Sequence, residues 1–413
     1  MQRSFADKLQ DYAALTIRLG INIQPGQELF LTAPVADVEF VRLLVAEAYQ
    51  AGAKNVQVNF VDDIAAKSRF IYGSDEAVAY APKWFYDGVA NAMEAGAARL
   101  GVISEDPGLL SDIDPTKVST WYGAAGVAAK RVGELVGSAA INWSLVAVPN
   151  PRWARLVFPG DSDETAVAKL WEAIFTCCRV DQPDPLQAWR DHCDNLALRR
   201  DYLNQLNLTA VCFRGPGTDL EVGLVDQRIW IGGWGTAKNG VTNAPNIPTE
   251  EIFSMPHRDR VQGTVSSTLP LSLRGQVVDK IQVEFKDGVV VRASAGEGEK
   301  TLIGLLDTDE GSRRLGEVAL VPPGCAVART GLLFTNTLYD ENAACHIALG
   351  SSFAENMMGY DDLSADERLA AGSNDSRIHV DWMIGSREVE VDGILPSGER
   401  KPLMRGLDWV EAV

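Results

Sequence analysis

The sequence predicts an α/β protein in which an N-terminal parallel-sheet domain of βαβ type precedes a C-terminal β-rich domain of the α+β kind. Three observations predict it: the chain has 413 residues, its first half alternates short strands with helices, and its second half contains mainly short strands. A chain of this length is long for a single hydrophobic core, so two domains are expected. We place an α/β domain at 1–206 and a β-rich domain at 207–413.

The first half begins with a strand–helix–strand unit. Apolar residues recur at helical spacing over 38–51, between the strand-like segments 28–31 and 55–60. Two strands joined by a helix normally lie parallel in one sheet. The pattern continues with predicted helices at 84–97, 115–136, 163–180 and 185–206 and predicted strands at 99–104 and 142–148.

The second half has the alternation and the turns of a β-rich domain. The tripeptide Lys286-Asp287-Gly288 is a hairpin signal between two such strands. We predict strands at 209–214, 219–224, 228–232, 277–285 and 288–295. No glycine-rich phosphate loop is present in either half, which disfavours a nucleotide-dependent enzyme.

Composition and charge exclude several classes of partner. Hydrophobic residues make up 46% and charged residues 23% of the chain, which is typical of a folded soluble protein. A formal net charge of −18 disfavours binding to nucleic acid or to an anionic membrane. The sequence shows no apolar run of membrane-spanning length and no signal peptide, so we expect a cytoplasmic protein. Six cysteines without Cys-x-x-Cys spacing are interpreted as buried thiols.

The most informative histidine is His379. The segment 378–384 alternates like a strand, and residues two apart on a strand point to the same side, so His379 and Asp381 present an imidazole and a carboxylate together. Such a pair is half of a divalent-cation site. The alternative interpretation is an ordinary ion pair between the same two side chains.

A second cluster of ionisable residues lies at 340–350. We predict a short helix from Asn342 onward, which brings Glu341 and His346 together only if Glu341 precedes the helix. The alternative is that Asp340 caps the helix, Glu341 is a favourable first-turn charge and His346 belongs to the core.

Two further acids lie in apolar surroundings. Glu317 is flanked by a strand-like run at 315–321, where an ionised carboxylate is costly without a partner. Of the adjacent Glu250 and Glu251, which precede Ile252, we expect only one to face inward. A metal ion or a salt bridge would satisfy either acid.

Taken together, these segments resemble the aminopeptidase T / aminopeptidase S family of metallopeptidases. The order and the spacing of the motifs also match, and the likeness extends from the N-terminal segment around 12–27 to the closing segment 405–409. The resemblance rests on Asn246-Ile247-Pro248-Thr249-Glu250-Glu251-Ile252-Phe253, Pro256-His257-Arg258-Asp259-Arg260, Leu306-Asp307-Thr308-Asp309-Glu310-Gly311, Leu315-Gly316-Glu317-Val318, Asp340-Glu341-Asn342-Ala343-Ala344-Cys345-His346 and Ile378-His379-Val380-Asp381.

The resemblance implies a pair of divalent metals in the C-terminal domain, zinc or cobalt by preference, with magnesium or manganese as alternatives. The family's ligand positions fall here on Glu251, Glu317, His346, His379 and Asp381, with Glu341 as a further acidic candidate. The family's expected tyrosine, seven residues after the histidine, is replaced by Phe353. We therefore consider Phe353 and Tyr360 as candidates for the substrate pocket. Family members also resemble homodimers, which we adopt by analogy.

Charge balance agrees with two metals. Four carboxylates and two neutral imidazoles carry a charge of −4, which two divalent cations cancel. An acid that is not committed to metal, Glu251 or Glu341, could act as general base, and the residues alone leave this choice open.

The expected function is a metallo-aminopeptidase that acts on peptides with a free N-terminus. The alternatives are a metal-dependent amidohydrolase acting on a non-peptide substrate and, outside the enzymes, a small-molecule binder whose acids form structural ion pairs.

Overall fold

The computed structural model describes residues 3–104, 106, 108–273 and 276–411. These residues form two compact units: unit 1 contains the described residues up to Asp191 together with Trp234–Pro248, and unit 2 contains His192–Gly233 and the described residues from Thr249 onward. The predicted boundary between 206 and 207 instead falls at the end of the helix that crosses from one unit to the other. Segment 234–248, predicted to belong to the second domain, is part of unit 1.

Helices and strands follow one another along the described chain with short connections. The helices are α1 (Phe5–Leu15), α2 (Val38–Gln50), α3 (Asp63–Tyr72), α4 (Asp75–Val78), α5 (Lys83–Glu94), α6 (Pro115–Ala128), α7 (Lys130–Gly137), α8 (Pro151–Val157), α9 (Asp163–Cys177), α10 (Pro185–Leu206), α11 (Glu299–Leu306), α12 (Ala326–Arg329), α13 (Thr337–Asp340) and α14 (Ala365–Ala370). A π-helix, Thr16–Ile21, continues α1, and 3₁₀ helices lie at Val35–Asp37, Gly311–Arg313, Glu341–Ala343, Ala354–Asn356 and Tyr360–Asp362.

The strands are numbered in the order in which they occur along the described chain. They are β1 (Glu28–Pro34), β2 (Asn55–Val61), β3 (Ala98–Ile103), β4 (Trp143–Ala147), β5 (Ala210–Gly215), β6 (Thr218–Leu224), β7 (Ile231–Gly232), β8 (Gly235–Thr236), β9 (Thr242–Asn243), β10 (Ile252–Ser254), β11 (Pro256–Ser266), β12 (Leu271–Leu273), β13 (Gln276–Val278), β14 (Gln282–Lys286), β15 (Val289–Ser294), β16 (Leu315–Leu320), β17 (His346–Gly350), β18 (His379–Met383), β19 (Glu390–Ile394), β20 (Arg400–Arg405) and β21 (Asp408–Trp409).

Unit 1 is built on a four-stranded parallel sheet with the order β2-β1-β3-β4. Helix α2 ends before Gly52, whose φ of 99° is a conformation that glycine adopts without steric cost and that commonly terminates a helix. Segment 234–248 joins this unit through backbone hydrogen bonds from Leu145 to Pro245 and from Ala244 to Leu19. The predicted βαβ arrangement is confirmed.

Besides the two-stranded sheet of β12 and β13, unit 2 contains two antiparallel sheets. The larger has eight strands in the order β15-β14-β11-β6-β5-β19-β20-β21, and the smaller has five in the order β18-β17-β16-β10-β7. Apolar side chains from both sheets form one hydrophobic core. The predicted α/β class with a β-rich second part is therefore confirmed.

Strands β16 and β17 are buried along their whole length, yet their two faces differ. On one face alternate residues join the hydrophobic core, among them Val318, Leu320, Ile347 and Leu349. The intervening residues point to the opposite face because successive side chains of a strand alternate. That opposite face carries the ionisable residues described below.

Three predicted elements are wrong in detail. The predicted helix from Asn342 onward is absent: α13 ends at Asp340, a 3₁₀ turn follows and ends at Ala343, and His346 begins strand β17. The predicted strand 277–285 is two strands, because Lys280 has a φ of 48°, which a continuous strand does not accommodate. The predicted helix 115–136 is α6 and α7, separated at Ala129.

None of the helices formed by the described residues is long and apolar enough to cross a membrane. All six cysteines are buried thiols, as their scattered positions predict.

Candidate metal centre

Five ionisable side chains from four chain segments meet on one face of the five-stranded sheet. Glu317 lies on β16, His346 begins β17, and His379 and Asp381 lie two residues apart on β18. Glu251 immediately precedes β10, whose first residue faces the core, so alternation directs Glu251 to the opposite face. The pairing of the strands thus brings together residues that are up to 130 positions apart in the sequence.

The register of the sheet also leaves room between these side chains. Ala348 pairs with Glu317 on one side and with Asp381 on the other. Directly opposed residues of antiparallel strands share a face, with Cβ atoms about 5 Å apart. Because the middle residue carries only a methyl group, the space above the sheet between the two carboxylates is not filled by a side chain from that position.

The ligand atoms form two groups that share one residue. Glu251, Glu317 and His346 make the first group, and Glu317, His379 and Asp381 make the second; within each group the atoms lie within 4.8 Å of one another. A carboxylate common to two adjacent groups is the arrangement expected of an acid that bridges two cations.

Each histidine directs Nε2 into the cluster. His346 Nε2 lies 3.1 Å from Glu251 Oε2 and 3.6 Å from Glu317 Oε1. His379 Nε2 lies 3.2 Å from Glu317 Oε2 and 3.5 Å from Asp381 Oδ1.

The other ring nitrogen of each histidine faces a backbone carbonyl. His346 Nδ1 is 3.2 Å from the oxygen of Ala344, and His379 Nδ1 is 2.7 Å from the oxygen of Ser351. A carbonyl oxygen only accepts, so Nδ1 carries the hydrogen and the Nε2 lone pair of the neutral ring faces the carboxylates. This is the tautomer that a metal-binding histidine requires.

The protonation states of these groups reflect the crowding of charge. Burial alone would lower the pKa of both imidazoles, but the neighbouring carboxylates raise the pKa of His346 and of His379 well above the usual value. Burial raises the pKa of Glu251, assisted by the charges of Glu317 and Asp381. The pKa of Asp381 is lowered, because His379 outweighs the effect of burial. Protons therefore occupy positions that cations would otherwise hold.

The donor set fits divalent cations. Asp381 Oδ1 is buried and accepts no hydrogen bond from any residue that the structure describes. Two imidazoles and several carboxylates with open lone pairs match the nitrogen and oxygen ligands that zinc and related ions take.

Glu341 stands beside the two groups. It begins the 3₁₀ turn Glu341–Ala343 and is half-buried, and it belongs to neither group of ligand atoms found among the described residues. Burial, followed by the charges of Glu251 and Asp381, raises its pKa well above the usual value. Glu341 therefore interacts electrostatically with the ligand side chains but belongs to neither ligand group.

Glu250 and Glu251 are both buried, but only Glu251 belongs to a group of candidate ligand atoms. They diverge: Glu251 faces His346, whereas Glu250 Oε2 lies 3.7 Å from His192 Nε2. The side-chain oxygen of Asn342 accepts a 2.7 Å hydrogen bond from the backbone N–H of Glu250, which fixes the chain just before it turns into β10.

The two candidate pocket residues lie in different surroundings. The ring of Phe353 lies 4.4 Å from the imidazole of His379 and 6.1 Å from the ring of Phe253, which alternation also places on the ionisable face. Tyr360 instead packs against a small apolar cluster and lies under the guanidinium of Arg368, 4.3 Å from its ring centre. Phe353 contacts the candidate centre directly, whereas the described contacts of Tyr360 lie elsewhere.

Sequence reasoning missed Phe253 and Glu355. Part of the Glu355 side chain reaches solvent, yet lost hydration and the charge of Glu317 raise its pKa to about 7. The alternation that places Glu251 on the ionisable face also predicts Phe253 there. Nothing in the local pattern around Glu355 marks it, because it lies on a short 3₁₀ turn.

Comparison with known proteins agrees with this geometry. The family model described as thermophilic metalloprotease (M29) matches residues 5–409. Aminopeptidase T of Thermus aquaticus is 46% identical over 407 residues, 98% of this chain and 99% of that protein. Aminopeptidase AmpS of Bacillus subtilis (strain 168) is 40% identical over 406 residues, 98% and 99% of the two chains. The solved structure of wild-type AmpT from Thermus thermophilus matches with a TM-score of 0.94 at 45% identity, covering 99% of this chain and 100% of that one.

The fold and the site, with these matches, define the protein as a metallopeptidase, a hydrolase of peptide bonds. More particularly, the chain belongs to the M29 family of metalloproteases, in which its relatives are aminopeptidases of the T and S types. The resemblance seen in the sequence motifs is confirmed.

Metal binding to the metal-free protein should release protons near neutral pH. The neighbouring carboxylates raise the pKa of His346 and of His379, which favours the protonated rings in the metal-free protein, and a metal ion binds only the deprotonated rings. Calorimetric titration of Zn²⁺ in buffers of differing ionisation enthalpy measures the protons released. Apparent affinity should fall as pH is lowered, and binding without proton release would contradict the assignment.

Two adjacent acids provide a matched test of the first group. Glu251→Gln should lower the affinity for metal by about 10- to 100-fold, because an amide supplies no charge to the cation. Glu250→Gln, at the neighbouring buried position, should retain wild-type metal content. Metal analysis after dialysis and the catalytic rate distinguish the two, and equal metal loss in both variants would argue against our assignment.

Proposed function

We propose that this protein is a metallo-aminopeptidase that releases the N-terminal residue of peptides at a centre of two divalent cations. The observation that carries the proposal is the pair of ligand groups sharing Glu317, in a chain that belongs to the M29 metalloproteases. The five ligand side chains of these groups exceed the three protein ligands that a single catalytic zinc typically uses.

The residues that would hold the cations follow from the two groups. Glu251 and His346 would hold one cation, His379 and Asp381 would hold the other, and Glu317 would be shared by both. Zinc and cobalt suit this mixture of imidazole and carboxylate, with magnesium or manganese as alternatives. When bound, such a pair polarises the scissile carbonyl and lowers the pKa of an attacking water.

Glu341 is the acid we assign to proton transfer. Glu251 contacts His346 and so belongs to a ligand group, which leaves Glu341 as the uncommitted carboxylate beside the centre. A carboxylate that is not committed to metal beside the centre can accept a proton from water and return it to the leaving amine. This choice was open from the sequence.

Restriction to the N-terminal residue would come from the negative charge of the site. A free α-amine offers both a lone pair and, when protonated, a positive charge, and carboxylates outnumber imidazoles at the centre. Glu355, near Glu317, adds a further acid on this side. An internal peptide bond has no such group to anchor.

By the same resemblance we propose a homodimer in the cytoplasm. The homodimer rests on analogy with the family.

Peptides with free and blocked N-termini test the proposal. The protein should release the first residue of a free peptide, while the N-acetylated form of the same peptide should be cleaved at least about 100-fold more slowly, a loss of roughly 3 kcal/mol of transition-state stabilisation. Chromatographic detection of the released amino acid measures both rates. A chelator should abolish the activity, and added zinc or cobalt should restore it.

Comparable turnover of blocked and free peptides would instead support the metal-dependent amidohydrolase. Activity that resists prolonged dialysis against chelator would argue against the metal centre itself.

Phe353→Tyr tests what the aromatic ring beside His379 does. If a hydroxyl there assists the transition state, as the family resemblance implies, the variant should raise kcat by about 10-fold or more with little change in metal content. If the ring only lines the substrate pocket, kcat should stay within about twofold. Phe253→Tyr, which alters the aromatic ring packed against Phe353, is the control for simply adding a hydroxyl to this wall.

A further inference from the structure

A carboxylate outside the candidate centre ties together the two turns that lead into ligand strands. Asp309 Oδ1 accepts hydrogen bonds from the backbone N–H of Ser312 at 3.0 Å, the hydroxyl of Ser312 at 2.9 Å and the hydroxyl of Ser376 at 2.7 Å. Asp309 Oδ2 accepts the backbone N–H of Arg377 at 2.8 Å and its Nε at 3.3 Å. One carboxylate therefore satisfies five donors on two separate segments.

The two segments are the turn before β16, residues 309–314, and the turn before β18, residues 372–378. Their backbones approach closely: a Cβ added to Gly311 would lie 1.9 Å from the carbonyl oxygen of Asp375. The side chain of Asn374 donates to the carbonyl oxygens of Gly311 at 2.8 Å and Gly350 at 2.7 Å. The turn before β18 is thus fastened to the turn before β16 and to the end of β17.

Strand β18 needs such a fastening because it lies at the edge of its sheet. It pairs with β17 on one side, and in the order of the sheet no other strand lies beyond it among the described residues. Just before His379, the carbonyl oxygen of Ile378 accepts the backbone N–H of Ser351 at 2.7 Å, and Ser351 in turn accepts from His379 Nδ1. A shift of the turn would therefore move the imidazole directly.

The hydrogen bonds that Asp309 accepts also keep its carboxylate ionised. Partial burial opposes ionisation, but the Arg377 N–H groups and the two serine hydroxyls outweigh it and hold the pKa of Asp309 well below the usual value. The carboxylate is therefore ionised, and both of its oxygens accept hydrogen bonds, near neutral pH.

We propose that Asp309 is a positioning residue that holds His379 and Asp381 in place for the second metal-binding group. The inference rests on the proposed two-metal function and deepens it: Asp309 touches neither the substrate nor a ligand atom and acts through the turn that leads into β18. Its loss should weaken one of two binding steps and spare the other.

Titration of metal-free protein with Co²⁺ alone tests this, with calorimetry and the visible absorption of the bound ion as readouts. Asp309→Asn replaces one acceptor oxygen by a donor, so it should weaken one binding step by about 10- to 100-fold, the range found for residues that orient metal ligands. The other step should stay within about threefold of wild type. Asp307→Asn is the control, because Asp307 is exposed and pairs only with Arg313 at 2.7 Å among the described residues.

The outcomes separate the two proposals. Two unchanged binding steps in folded Asp309→Asn would overturn the positioning role while leaving the two-metal proposal intact. Equal weakening in Asp309→Asn and Asp307→Asn would also overturn it, because the effect would then be one of surface charge. A wild-type protein that binds no Co²⁺ would overturn both the function and the inference.

A milder pair of variants covers the case in which Asp309→Asn fails to fold. Ser376→Ala removes one hydroxyl from Asp309, whereas Ser376→Thr keeps it. We expect the alanine variant to weaken the same binding step by at least about threefold and the threonine variant to restore it. Equal affinities in the two variants, with equal thermal stability, would overturn the proposal.

Discussion

Repulsion among carboxylates gathered in a poorly hydrated site is the constraint on which the rest of unit 2 depends. Burying like charges together is costly in a medium of low dielectric constant, and only cations or protons relieve the cost. Without metal, the histidines and Glu251 hold protons more firmly than usual. The fold must therefore resist the tendency of these side chains to separate, and it does so by attaching them to strands rather than to loops.

The strands that carry the ligand residues resist displacement because their opposite face packs in the hydrophobic core. The residues between the ionisable ones join a core that unites both sheets, so displacement of a ligand strand would expose apolar surface. Small residues occupy the ligand face where space is needed, as at Ala348. Turns at the edge strand supply the remaining restraint through Asp309 and Asn374. Core packing and local hydrogen bonding thus restrain the same geometry.

The parts that local pattern could predict are those that depend on neighbours in sequence. Alternation placed His379 and Asp381 on one face, and the apolar run around Glu317 indicated a strand. The local pattern gave the wrong element at His346, because the asparagine and alanines that precede this strand are typical of a short helix. The register that sets Ala348 between two acids, and the bonds of Asp309 to Ser376, join segments far apart in the chain. No local period contains that information.

The course of the chain through the two units has a consequence for how the protein can be divided. Unit 2 is interrupted by segment 234–248, which hydrogen-bonds within unit 1 through Leu19 and Leu145. A single cut at any position leaves at least one unit lacking part of its own backbone. No single cut therefore separates the two units into two complete fragments, so recombination between relatives should preserve function best when both crossing segments come from one parent.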